Sequence, residues 1–288
     1  MLAIMEKELK SYFHSMTGYL FLAVFWAVAG IYFTVYCLAG GRMDFGGYVL
    51  SSITILFIAI VPVLTMRLMT DEKKQKTDQL LLTAPVRSSA IILGKYLAVL
   101  VVFGVGLLGV FGYAVILSFF GDMVWKTTLT AFIGFFLLGA SFLAVGTLIS
   151  CCCDSQVAAA AVSFGVTLLC FLLPAIANYA PGRARYTFVI LGVVILWLAF
   201  FFYNETKSVV IGAASGVVGI GALVAAWFIK ADLFDNGIAR MVDWVSILDR
   251  YDNFVNGIFD ASSIIYYLSF IVVCMFLSIR TVEKRRWN

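Results

Sequence analysis

Few residues in this chain could do chemistry. His14 is the one histidine. It has no partner in sequence for triad work, and no His-Glu-x-x-His motif occurs. Three of the six cysteines are adjacent, in Cys151-Cys152-Cys153-Asp154. A thiolate metal site needs Cys-x-x-Cys spacing or a histidine partner, so this run reads as a small-residue loop. The other three, Cys37, Cys170 and Cys274, fall inside apolar runs, which is no disulfide framework. Gly94-Lys95 invites a phosphate-binding reading. A Walker loop needs glycine where Ser89 stands and a hydroxyl residue where Tyr96 stands. The expectation is a chain without catalytic residue, cofactor, metal site or ATPase motif, and so not an enzyme.

The elements that must position the remaining polar residues are apolar helices. Of 288 residues, 63% are hydrophobic and 12% charged, with mean hydropathy +1.03. Soluble domains carry about 25% charged residues. The fold class is therefore all-α, a polytopic membrane protein, with no stretch long enough for a separate soluble domain. A span needs about 20 apolar residues. Eight runs qualify: 17–39, 47–66, 96–120, 127–150, 157–177, 187–203, 208–229 and 262–279. The sixth and seventh are joined only by Asn204 to Lys207, and a re-entrant hairpin is the alternative there. The first run, from Gly18 to Leu38, is too long for a signal peptide and reads as a retained span.

Loop Lys and Arg set orientation. With eight spans one side receives 13 of them, including Lys7, Arg67, Lys73, Lys74, Lys76 and Lys95, and the other receives 7. The first side is cytoplasmic, and both termini lie there. The net charge of +4 sits in loops flanking apolar spans and is no nucleic-acid signature. Within residues 1–16, Leu2, Met5, Leu9, Tyr12, Phe13 and Met16 share one helical face, which predicts an interfacial helix before the first span. The largest exterior segment, 230–261, carries six aspartates against three basic residues. Phe234, Ile238, Met241, Val245 and Leu248 stand there at helical spacing and predict a second surface-lying helix.

The eight runs contain no Asp, Glu, Lys, Arg or His. Proton relays and ion pathways are built from such residues, so a proton-driven secondary transporter is disfavoured. Uphill transport would need energy from another polypeptide. Between the second and third spans stands "DEKKQKTDQLLLTAPVRSSAIILGKY", Asp71 to Tyr96. Asp71 and Glu72 suit a helix start. Thr77, Leu80, Leu81 and Ala84 then share a face, and Pro85 disfavours helix at Ala84. Lys95 and Tyr96 read as interfacial anchors of the next span. Two readings stay open on these residues: leucines resting on lipid, or a helix docking into a groove on a partner.

This stretch resembles the first cytoplasmic loop of ABC-2-type transporter permeases, especially the gliding-motility-type subfamily. Glu72-Lys73-Lys74, Thr77, Leu80-Leu81-Leu82, Pro85-Val86 and Gly94-Lys95-Tyr96 carry the likeness. Lys76 stands where that loop commonly has glycine, and Gln79 where it commonly has an acid. The closing segment Asn253 to Trp287 and the leading segment Glu6 to Phe21 are similar to the same family. The resemblance implies one transmembrane domain over 1–288: a six-helix ABC-2 core plus an inserted pair, a coupling loop at 67–95 and an exterior loop at 230–261. It implies the permease subunit of an ATP-binding cassette transporter, an exporter, in a prokaryotic plasma membrane. Its partners would be an ATP-binding subunit, which holds the ATP and Mg, a second permease copy or paralogue, and membrane lipid. Glu72, Lys73, Thr77, Gln79, Leu80, Leu81, Leu82 and Pro85 would form the ATPase-docking set. The alternatives are a non-transporting sensor or scaffold driven by an ATPase, and a secondary transporter.

Overall fold

The computed structural model describes residues 1–74, 87–179 and 246–287. The chain divides into two compact units, Met1–Phe171 with Ile247–Asn288, and Leu172–Ser246. The first contains nearly all that is described. Among the described residues there are helices and turns and no strand. Apolar runs this long in lipid have no water for their backbone groups, so each must bond within itself as a helix.

Among the described residues, six helices are long and apolar enough to cross a membrane: Met16–Ala39, Gly46–Lys74, Ser88–Ser118, Trp125–Cys152, Gln156–Ala175 and Ala261–Lys284. They are named here the first to fifth spans and the last span. They correspond to six of the eight expected runs; the runs at 187–203 and 208–229 lie outside the described residues. The end that carries residues 67–95 is the loop end, and the opposite end is the far end.

The fourth span is the axis of the first unit. It packs against the second, third and last spans and against a short helix, Asp249–Val255. The contact is aromatic: Phe57 lies 4.9 Å from Phe135 and 5.7 Å from Phe103 and from Phe142, ring centre to ring centre. Such offset or tilted pairs suit the ring quadrupole and contribute about 0.5–1.5 kcal/mol each beyond their burial.

The second span is not one regular helix. It begins with a π-helical turn at Gly46–Leu50, tightens to a 3-10 turn at Thr54–Leu56, and runs as α-helix over Phe57–Thr65. Pro62 lies inside that last stretch and removes one backbone donor. Regular helix then gives way to turns at Met66–Met69 and resumes as a short helix at Thr70–Lys74. The break leaves backbone groups that must find partners elsewhere.

At the far end, Asp249–Val255 does not lie flat on the surface. Phe254 is fully buried against Gly134, where an added Cβ would come within 2.5 Å of the Phe254 Cβ. Tyr251 meets Phe135 edge-on at 6.2 Å. Gly134 and Phe135 stand about 13–15 Å along the fourth span from its Trp125 end, at about 1.5 Å rise per residue. Tyr267 of the last span donates to the Ile247 carbonyl at 2.8 Å and fixes the entry of this wedge. Of the residues expected to form a surface-lying helix, Phe234, Ile238, Met241 and Val245 lie outside the described residues. Leu248 is partly buried against the core.

Candidate functional site

The groups that satisfy the broken second span come from two neighbouring elements. The Leu68 carbonyl accepts a hydrogen bond from the Lys95 ammonium at 2.7 Å. The Met69 amide donates to the Ser150 hydroxyl of the fourth span at 3.2 Å. The irregular turn is thus held from the third span on one side and the fourth on the other.

Lys95 does more than bond one carbonyl. Its ammonium lies 2.7 Å from a Glu8 oxygen of the amino-terminal helix Leu2–His14, and 3.0 Å from a Glu72 oxygen of the short helix Thr70–Lys74. Lys95 is 2% exposed, and the two carboxylates 15% and 14%. A charge this deep persists only when paired and hydrogen-bonded. One cation therefore ties three separate segments together. This corrects the expectation that Lys95 and Tyr96 anchor the third span in the lipid interface. Both are buried, and the Tyr96 hydroxyl donates inward to the Ala140 carbonyl at 3.0 Å.

Gly94-Lys95-Tyr96 becomes intelligible as three neighbours on one helix, each serving a different contact. Gly94 lets the amino-terminal helix cross closely: a Cβ there would come 3.1 Å from the Met1 carbonyl oxygen and 3.3 Å from Ile4. Lys95 reaches the carboxylates. Tyr96 binds the fourth span. The amino-terminal helix is therefore docked on the protein. Tyr12 is buried and donates its hydroxyl to the Leu64 carbonyl at 2.5 Å. Burial, reinforced by the carboxylates of Glu8 and Asp71, pushes the Tyr12 phenol well above its ordinary pKa, so it stays a donor.

A second lysine holds the other side of the loop base. The Lys73 ammonium donates to the carbonyls of Cys151 at 2.7 Å and Cys153 at 2.5 Å, with Asp154 at 3.7 Å. These carbonyls end the fourth span, where a helix has unsatisfied acceptors and a negative dipole end. The cysteine run thus serves this site through its backbone oxygens.

Of the residues expected to dock a partner, the structure places Glu72 and Lys73 as neighbours about 100° apart on one short helix, each bonded to this chain's own groups. Thr77, Gln79, Leu80, Leu81, Leu82 and Pro85 lie outside the described residues. The loop leaves its anchored start at Lys74 and returns at Arg87, which takes an extended backbone just before the helix Ser88–Ser118 begins. Sequence reading missed Glu8. The signal was present, since Glu8 stands with Met5, Leu9 and Tyr12 at i, i+3, i+4, i+7 spacing. An acid within an apolar stripe asks for a buried cation.

What the arrangement can do follows from its connections. A pull on the loop start acts through Glu72 on the third span and the amino-terminal helix, and through Lys73 on the fourth span. The sequence pattern of ABC-2 family transporter proteins matches residues 2–282. No curated protein matches the chain.

Proposed function

Because the chain belongs to the family of ABC-2 family transporter proteins, we propose that it is the permease subunit of an ATP-driven exporter, of the gliding-motility type. A separate ATP-binding subunit supplies the ATP and Mg chemistry and docks on the loop between the second and third spans. A second copy of the chain, or a paralogue, completes the translocation path. The loop end faces the cytoplasm of a prokaryotic cell, with both termini on that side.

The observation that carries this reading is the anchoring of the loop base by Glu72–Lys95–Glu8 and by Lys73 on the end of the fourth span. A loop resting passively on lipid needs no buried ion cluster at its root. A loop that transmits force does. In this mechanism Leu80, Leu81 and Leu82 fill an apolar groove on the ATPase, while Thr77 and Gln79 set register and Pro85 ends the docking helix. Glu72 and Lys73 act by holding that helix in place. ATP-driven closure of the ATPase pair then biases a two-state arrangement of the spans, because each state offers the loop different contacts.

The test uses the permease purified with its co-expressed ATPase. Leu81→Asp places a charge in the apolar patch, and is expected to abolish permease stimulation of ATP hydrolysis while the permease stays inserted. Normal stimulation by that variant overturns the docking assignment.

A further inference from the structure

The loop end carries a cavity of about 320 Å³ between the amino-terminal helix, the end of the second span and the start of the third. We propose that it binds the headgroup of a zwitterionic lipid of the phosphoethanolamine type. The binding can be measured on the permease alone, so it stands or falls separately from ATPase docking.

The charges lining the cavity divide into two sets. Lys95 pairs with both Glu8 and Glu72. Lys7, Arg67 and Asp71 line the same cavity and make no ion pair among the described residues. The Arg67 guanidinium spends one donor on the Thr17 hydroxyl at 3.2 Å and keeps its others for a ligand. Two cations beside one carboxylate fit a phosphodiester carrying a primary ammonium. Arg67 and Lys7 take the phosphate oxygens, and Asp71 accepts from the ammonium.

The ligand's tails have a place to go. Thr17 lines the cavity, and next to it Met16, Tyr19 and Leu20 are 83%, 60% and 51% exposed. These apolar residues open the first span within a turn of Thr17 and present a surface suited to acyl chains. A free phosphate compound would leave that surface unused. A phosphatidylglycerol headgroup offers Asp71 only hydroxyls, and a choline headgroup offers it no N–H donor. Both are expected to bind more weakly. A lipid so placed braces Glu8 and the amino-terminal helix against the loop base, making that anchoring sensitive to the surrounding membrane.

The experiment measures lipid retention by native mass spectrometry on the full chain in detergent. Dioleoyl-phosphatidylethanolamine, -phosphatidylcholine and -phosphatidylglycerol are added separately and in competition. The wild type is expected to retain the ethanolamine lipid several-fold over the other two. Asp71→Asn should erase its advantage over phosphatidylglycerol, and Arg67→Gln should lose retention of all three. Lys7→Gln, at an exposed position that does not threaten folding, should weaken retention of all three by a few-fold. Soluble phosphoethanolamine at millimolar concentration should not displace the lipid. If it does, the cavity takes a soluble phosphate compound and the lipid assignment fails. An ethanolamine preference unchanged by Asp71→Asn, or a retention unchanged by Lys7→Gln, overturns the site.

Discussion

The two ends of the first unit are held by different physics. At the loop end, three segments meet on one buried ammonium, and a fourth-span helix end is bonded by a second. At the far end, the wedge Asp249–Val255 is held by ring packing, with Phe254 filling the space that Gly134 leaves. Aromatic packing is graded and tolerant of small shifts only at the cost of contact. An ion cluster is directional: its members hold firmly in one geometry and can exchange partners in another. An element that must transmit motion gains from the second kind of contact, and a fixed frame gains from the first. Phe254 seated on Gly134 gives the far end a contact of the first kind, and the ion pairs of Lys95 give the loop end one of the second.

The contrast can be broken most severely at Lys95. Lys95→Met leaves the Glu8 and Glu72 carboxylates facing each other without a cation, and should cost about 3–5 kcal/mol. The thermal unfolding midpoint in detergent reads this out. Replacing all three residues, Glu8→Met, Glu72→Met and Lys95→Met together, should recover most of the loss. Apolar groups of similar volume are often as stable as a buried ion cluster. A triple variant as unstable as the single one means that packing, not charge, holds the loop end.

A smaller effect is expected at the far end. Gly134→Ala forces a Cβ into Phe254 and should cost about 1–3 kcal/mol, as overpacking does. In a Phe254→Gly background the same substitution should cost little, since the Cβ and ring it meets are gone. Equal costs in both backgrounds would show that Phe254 does not seat where the wedge places it. Unlike the loop-end variants, this pair should leave ATPase stimulation by the surviving folded protein unchanged.

The sequence made the spans legible and left their junctions obscure, for a common reason. Hydropathy marks a border at each charge. It therefore began the third span at Tyr96, just past Lys95, whereas the helix begins at Ser88. It ended the second span near Arg67, whereas helix resumes over Thr70–Lys74. The first error arises where a charge is neutralised by a residue far away in sequence. Glu8 lies 87 positions from Lys95, beyond any local periodicity. The far-end wedge was hidden similarly: Phe254 reads as one more loop aromatic until Gly134 is seen to make room for it. The candidate docking residues were legible only through family resemblance, because leucines on lipid and leucines in a groove have the same spacing.

If the loop between the second and third spans receives the ATPase's motion and passes it through its anchored base, amide hydrogen exchange on the permease–ATPase complex, with and without ATP, will register it. ATP should change exchange in residues 67–74 and 88–96 and leave 249–255 unchanged, and Leu81→Asp should remove the change. Unaltered exchange at the loop base on adding ATP, or a change that persists in Leu81→Asp, means that the loop does not carry the ATPase's motion.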